Sequence, residues 1–213
     1  MGVLHDSADH PRHQADPRSV GRGRLGARAG GSRTRREGSR GVSQEGEELA
    51  VSAADPVVSA VEGRLSERGI TLPAVVPPLA SYVPAVISGN HVFTSGQLPM
   101  IDGKLPASGK VGTQDGNVDP EAAARLAATC AVNALAAIKG QIGDLDRITR
   151  IVKVVGFVAS DPSFTGQPGV INGASDLLGA VLGDAGVHAR SAVGVSVLPL
   201  DSPVEVEIIA EFV

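Results

Sequence analysis

Val204-Glu205-Val206-Glu207-Ile208-Ile209-Ala210-Glu211-Phe212 alternates apolar and acidic side chains along almost its whole length. Successive strand residues point to opposite faces. Val204, Val206, Ile208, Ala210 and Phe212 therefore share one side, and Glu205, Glu207, Ile209 and Glu211 share the other. The first side demands a helix layer over it. The second carries carboxylates, so it meets water, another subunit or a site. The preceding segment, Ser191 to Leu198, repeats the theme. Val193, Val195 and Val197 lie on one face; Ala192, Gly194 and Ser196, with Arg190 just before them, lie on the other.

The other elements fall into place upstream. Pro168 to about Leu182 reads as a helix with Ile171, Ala174, Leu178, Val181 and Leu182 on one stripe. Residues 147–158 (RITRIVKVVGFV) read as a strand. Asp119-Pro120-Glu121 signals a helix start, with an acid in the first turn to suit the dipole. That helix runs to about Lys139 with Leu126, Cys130, Ala134 and Ile138 on one stripe, and Gly140 or Gly143 ends it. A Gly89-Asn90 turn joins Val83–Ser88 to His91–Ser95 as a hairpin. Before it, Asp55-Pro56 and Gly69 bracket a short helix over 56–68, followed by an extended stretch from Leu72 to Pro78. The order ββαβαββ predicts an α+β fold, a mixed sheet with two helices on one face. A second face of small residues and a few charges suits packing against another protomer.

The chain has 213 residues, 42% of them apolar, so one domain with or without a tail is expected. Aromatic residues are only 2%, which leaves Val, Leu, Ile and Ala to build the core. A net charge of −4 gives nucleic acid and anionic membranes no general attraction. A single cysteine, Cys130, permits no internal disulfide. No metal-ligand spacing is visible, since His91 and His188 stand alone and the other histidines lie near the N-terminus. No apolar run approaches the roughly 20 residues that span a bilayer. Residues 1–54 are different in kind: GRGRLGARAGGSRTRREGSRG (21–41) has almost no apolar side chains and is expected to be disordered. A solvated extension, an RNA-binding arm and a targeting peptide are its alternatives. Another is a start assigned too early, with Val51 as a candidate true start.

Three segments, taken together, carry a family resemblance. The first is Ser81-Tyr82-Val83-Pro84 with Gly89 through Pro99, which contains Thr94-Ser95-Gly96-Gln97-Leu98-Pro99. The second is Val170-Ile171-Asn172-Gly173-Ala174. The third is Ala189-Arg190-Ser191, then Leu198-Pro199, then Val204-Glu205-Val206-Glu207. In this order and at these separations, residues 72–213 resemble the reactive-intermediate deaminase (Rid, YjgF-like) family. The resemblance implies a chorismate-mutase-like fold and a homotrimer whose sheets form a central barrel, with sites in clefts between subunits. It implies hydrolysis of 2-imino and 2-enamino acids to 2-keto acids and ammonia, with no cofactor, in a cytoplasmic protein that needs neither membrane nor nucleic acid. A metabolite-binding trimer without turnover is the alternative, and the endoribonuclease label often attached to the family fits this composition less well.

The matched positions have definite chemistry. Arg190 matches the family's carboxylate-binding arginine, and a planar guanidinium can hold a carboxylate with two hydrogen bonds. Its alternative is an interface ion pair with Glu205 or Glu207. Glu207 matches the glutamate placed near the attacking water, where it can accept and return a proton; otherwise it is a solvated strand residue. Glu205 is the fallback. Tyr82 matches a cleft tyrosine that orients substrate, or else is a half-buried ring. Asn172 matches an asparagine bordering the neighbouring site, or bonds locally. Gly96 allows close backbone approach, or makes a turn. Ala192 stands where many members carry cysteine; the family's contact there is the backbone N–H, which alanine keeps. His188 stands where proline is common.

Overall fold

A computed structural model describes residues 59–75 and 81–213. The expected tail, the Asp55-Pro56 helix start and part of the extended stretch lie outside the described residues. The described residues fall in one compact unit, 52–213.

The elements follow the expected order. Helix α1 (Ala60–Ser66) precedes the hairpin β1 (Ala85–Ser88) and β2 (His91–Thr94). Helix α2 (Pro120–Ile142), strand β3 (Ile148–Ala159), helix α3 (Gln167–Leu182), strand β4 (Ala189–Val195) and strand β5 (Val204–Phe212) complete the chain. They form a five-stranded sheet in the order β1-β2-β5-β3-β4. Only the β3–β4 pair is parallel, so the sheet is mixed. The last strand of the sequence thus lies in the middle of the sheet.

Local chemistry sets the ends of α2. The Asp119 carboxylate accepts from the N–H groups of Glu121 and Ala122, and Gly143 takes φ 83° just past the last turn. Its apolar stripe, including Leu126, Cys130, Ala134 and Ile138, is fully covered or nearly so. By length and composition α2 is apolar enough to cross a membrane, contrary to the sequence expectation. Its apolar side chains are instead buried in the core. The two long helices pack closely: a Cβ at Gly173 would stand 1.8 Å from the carbonyl oxygen of Ala124. Glycine is required there by the close approach of α3 to α2.

The face assignment of β5 is as the alternation predicts: Val204, Val206, Ile208 and Ala210 are buried under the helices. Strand β4 reverses its expected sense. Its valines Val193 and Val195 face away from the helices, with Val193 exposed, while Ala192 packs against the core. Val197, expected on the same strand face, lies beyond the end of β4. The reason is the closeness of α3. A Cβ at Gly156 would lie 2.5 Å from the Ile171 side chain, and one at Gly194 would lie 2.8 Å from Gln167 Nε2. Beneath α3 the paired positions Gly156 and Ala192, and Gly194 next on β4, take only small residues, and the branched Val193 of β4 turns outward. The open sheet face consequently presents Val86, Phe93 and Val193 to solvent in this chain, each more than one-third exposed.

Helix α1 is held by a carboxylate from elsewhere in the chain. Asp146 accepts from Ser59 Oγ (2.8 Å), Ala60 N (2.7 Å) and Val61 N (2.9 Å). Lys139 pairs with Glu62 at 2.7 Å on the next turn. Burial pushes the Asp146 carboxyl up, but the Val61 and Ala60 N–H groups and the Ser59 hydroxyl outweigh it, with help from Arg64, and its pKa falls below the ordinary value. A lowered folded-state pKa gives stability that is present above the unfolded value and lost as pH falls through the folded one. Asp146→Ala should cost about 1 kcal/mol, the scale of a lost helix cap. This would lower the thermal midpoint at neutral pH by roughly 2–4 °C. The gap between variant and parent should narrow in acid; equal midpoints at neutral pH would contradict this anchoring role.

Candidate functional site

Arg190 sits near the start of β4, opposite Val154 of β3 in the ladder. Val154 is buried under the helices, so Arg190 shares their face. Its guanidinium lies along α3. Nη1 donates to Asn172 Oδ1 at 2.8 Å and to Ser175 Oγ at 3.0 Å, and Nη2 donates to the Pro168 carbonyl at 3.2 Å. Asn172 and Ser175, three residues apart on one helix, form adjoining parts of one surface. A guanidinium carries five N–H donors. Nε–H and the second Nη2–H remain without a partner among the described residues. Arg190 is therefore fixed from one side while donors are left for a ligand.

Glu207 lies on the other side of the sheet. It pairs with Val155, the next residue after Val154, and its neighbours Val206 and Ile208 are buried in the core. Glu205 pairs with Phe157 on the same open face. Arg190 and Glu207 thus occupy opposite faces of one sheet, and a single chain cannot close them on one small molecule. The ion pair of Arg190 with Glu205 or Glu207 does not form within the chain.

Gly96 belongs with the glutamates. A Cβ there would stand 1.6 Å from Glu205 Oε1, so the absent side chain is the space that the Glu205 carboxylate occupies. Burial raises the Glu205 carboxyl above the ordinary value, and the neighbouring Glu207 charge adds to the rise. Tyr82 is 56% exposed in the segment before β1. Ala192 is half-buried with its side chain toward the core, which leaves its backbone as the part able to meet a ligand. Strand β4 is an edge strand, and such strands keep part of their backbone donors unpaired.

The structure therefore assembles two groups, Arg190 with Asn172 and Gly96 with Glu205 and Glu207, and leaves Tyr82 apart. Two grooves of the single chain lie elsewhere. One of about 330 Å³ is lined by Lys110, Ser160, Asp161, Phe164 and Gln167 among others; another of about 500 Å³ includes Leu72, Val75 and Lys139. Neither reaches Arg190, Asn172, Tyr82 or Glu207. Sequence reasoning did not identify Ser175 as a partner of Arg190. Its spacing from Asn172 on the predicted helix was the available signal. Among the described residues no cluster of His, Cys, Asp and Glu is arranged to hold a metal ion.

Comparison with known proteins fixes the family. The family described as "YjgF/chorismate mutase-like, putative endoribonuclease" matches residues 62–212. Protein TCP17 of Trypanosoma cruzi is 43% identical over 152 residues, covering 71% of this chain and 93% of its own. The crystal structure of Atu1372 from Agrobacterium tumefaciens, a protein of unknown function, is 49% identical with a TM-score of 0.66, covering 72% of this chain and 93% of that one. A Shewanella oneidensis structure under the same endoribonuclease description is 34% identical with a TM-score of 0.68, covering 71% and 99%. The chain belongs to the YjgF/chorismate-mutase-like family, and its α+β mixed sheet backed by helices is the fold of that family.

The glutamate pair has a pH signature. A raised folded-state pKa gives stability that is present below the unfolded value and lost as pH rises through the folded one. Glu205→Gln should remove that loss. Urea midpoints of the variant should gain on the parent as pH rises from the ordinary glutamate value through the raised one of Glu205. Parallel profiles would show that the Glu205 charge is not opposed by its surroundings.

Proposed function

We propose that the protein is a homotrimeric deaminase that hydrolyses reactive 2-imino and 2-enamino acids to 2-keto acids and ammonia. Its clefts take Arg190 and Asn172 from one chain and Glu207 and Gly96 from the next. The observation that carries this reading is the Arg190 guanidinium, held by Asn172, Ser175 and the Pro168 carbonyl with donors left over. Such an arrangement suits a carboxylate, which accepts two parallel hydrogen bonds from one guanidinium. The uncovered sheet face, with Val86, Phe93 and Val193 outward, supports assembly through the face that carries Glu205 and Glu207. Family membership supports the same reading.

In the proposed reaction the substrate carboxylate rests on Arg190, and the backbone of Ala192 lies beside it. An enamine first gains a proton at carbon and becomes the iminium form. Water adds to the C=N carbon as Glu207 accepts one of its protons. Glu207 passes that proton to the nitrogen of the resulting carbinolamine, the C–N bond breaks, and the hydroxyl proton moves to Glu207 as the C=O bond forms; the departing ammonia then takes it away as ammonium. Glu207 starts and ends ionised, so the carboxylate acts as a shuttle. Tyr82 reaches the cleft to orient substrate.

Ammonia release from imino acids generated in situ by an amino-acid oxidase tests this reading. The full chain should accelerate hydrolysis. Glu207→Gln should lower the rate by about a hundredfold or more, the scale of a lost general acid–base group, and Arg190→Ala should lower it by about a hundredfold, the scale of lost charge-assisted hydrogen bonds to the substrate carboxylate. A rate no faster than buffer for the parent chain, across several imino acids, would overturn it. The arginine cleft would also suit a trimer that binds a 2-keto acid without turnover. That second reading gains ground if Arg190→Ala loses affinity in a protein that shows no rate at all.

A further inference from the structure

Two hydrogen bonds lead from Arg190 to His188, a residue that no role in the proposed chemistry explains, and a third runs on from it. Ser175 Oγ, which accepts from Arg190 Nη1 at 3.0 Å, stands 3.0 Å from His188 Nε2. His188 Nδ1 stands 2.6 Å from the carbonyl oxygen of Gly186. A carbonyl oxygen can only accept, so Nδ1 carries the proton of the neutral ring and Nε2 presents its lone pair to Ser175. The Ser175 hydroxyl then donates to Nε2, and its own lone pairs turn toward Arg190. Each donor meets one acceptor along the line Arg190, Ser175, His188, Gly186.

The direction of the Ser175 hydroxyl is what this line determines. A serine inside a helix ordinarily turns its hydroxyl back to the carbonyl four residues earlier, here that of Ile171. His188 offers a better acceptor on the other side. It stands two residues from Arg190 and is half-buried between α3 and the start of β4. We infer that His188, acting through Ser175, is a positioning residue that orients the Arg190 guanidinium toward the substrate carboxylate. The inference rests on the reading of Arg190 as the carboxylate donor and adds to it a specific support. Without His188 the guanidinium keeps Asn172 and the Pro168 carbonyl but loses a fixed acceptor, so more of its freedom must be given up when ligand binds.

Titration calorimetry of the full chain with 2-oxobutanoate, together with KM and kcat for ammonia release, tests the inference. His188→Ala and Ser175→Ala should each weaken 2-oxobutanoate binding by about fivefold, the scale of one hydrogen bond. The loss should appear in KM with kcat little changed. The double variant should be no weaker than Ser175→Ala alone, because the two residues act in series. His188→Gln, whose amide oxygen can accept from Ser175, should recover most of the affinity. Parent-like binding by His188→Ala, while Arg190→Ala binds nothing, would overturn the inference and leave the deaminase reading standing. Independent losses that multiply in the double variant would overturn it too, by removing Ser175 as the link. Parent-like binding by Arg190→Ala would overturn the underlying reading. If His188→Ala does not fold, Ser175→Ala and His188→Gln decide the matter: equal, parent-like binding by both overturns the inference.

Discussion

Neighbouring residues of a β-strand cannot point to the same face, and in this molecule that constraint governs both the core and the chemistry. Strand β3 holds β5 on one side and β4 on the other, and its consecutive residues Val154 and Val155 serve opposite faces. Val154 aligns with Ile208 and Arg190, both on the helix side. Val155 aligns with Glu207, on the open side. A shift of β5 by one position would bury Glu205 and Glu207 beneath α2 and expose Val206 and Ile208. The register that gives this sheet an apolar core is therefore the same register that separates the arginine from the glutamate.

The helix layer adds a second constraint. Helix α3 approaches the sheet so closely that Gly156 and Gly194 have no room for a larger residue without rearrangement of Ile171 or Gln167. That closeness brings Asn172, Ser175 and the Pro168 carbonyl within reach of Arg190. It also turns Val193 outward, onto the face where Glu205 and Glu207 stand. The proposed cleft thus takes its anion-binding half from the fit of α3 on β4. Its proton-shuttling half comes from β5 and from the space that Gly96 leaves for Glu205.

Much of this was legible in the sequence because it rests on local rules. The Asp119 cap, the positive-φ Gly143 stop and the two-faced β5 each announce themselves within a few residues. The two-faced character of β4 was legible, but its sense was not. Hydrophobicity alone puts valines inside, and the packing of α3 that reverses the choice is a tertiary effect. The motif residues Arg190, Asn172 and Glu207 could be found by resemblance, yet their distribution over two faces depends on strand register, which no linear motif states. The support from Asp146 to α1 spans more than eighty residues of chain, and His188 meets Ser175 across a turn and a helix face. Such contacts leave no periodic trace.

The central claim is that one cleft needs Arg190 of one chain and Glu207 of another. Mixing Arg190→Ala and Glu207→Gln chains, each inactive alone, tests it most directly. Equal amounts unfolded and refolded together should regain roughly a quarter of the parent's ammonia-releasing activity, since a symmetric assembly draws each half of a cleft at random from the two kinds of chain. No recovery at any mixing ratio, with assembly of the mixed chains verified, would show that the two residues do not serve one site from two chains.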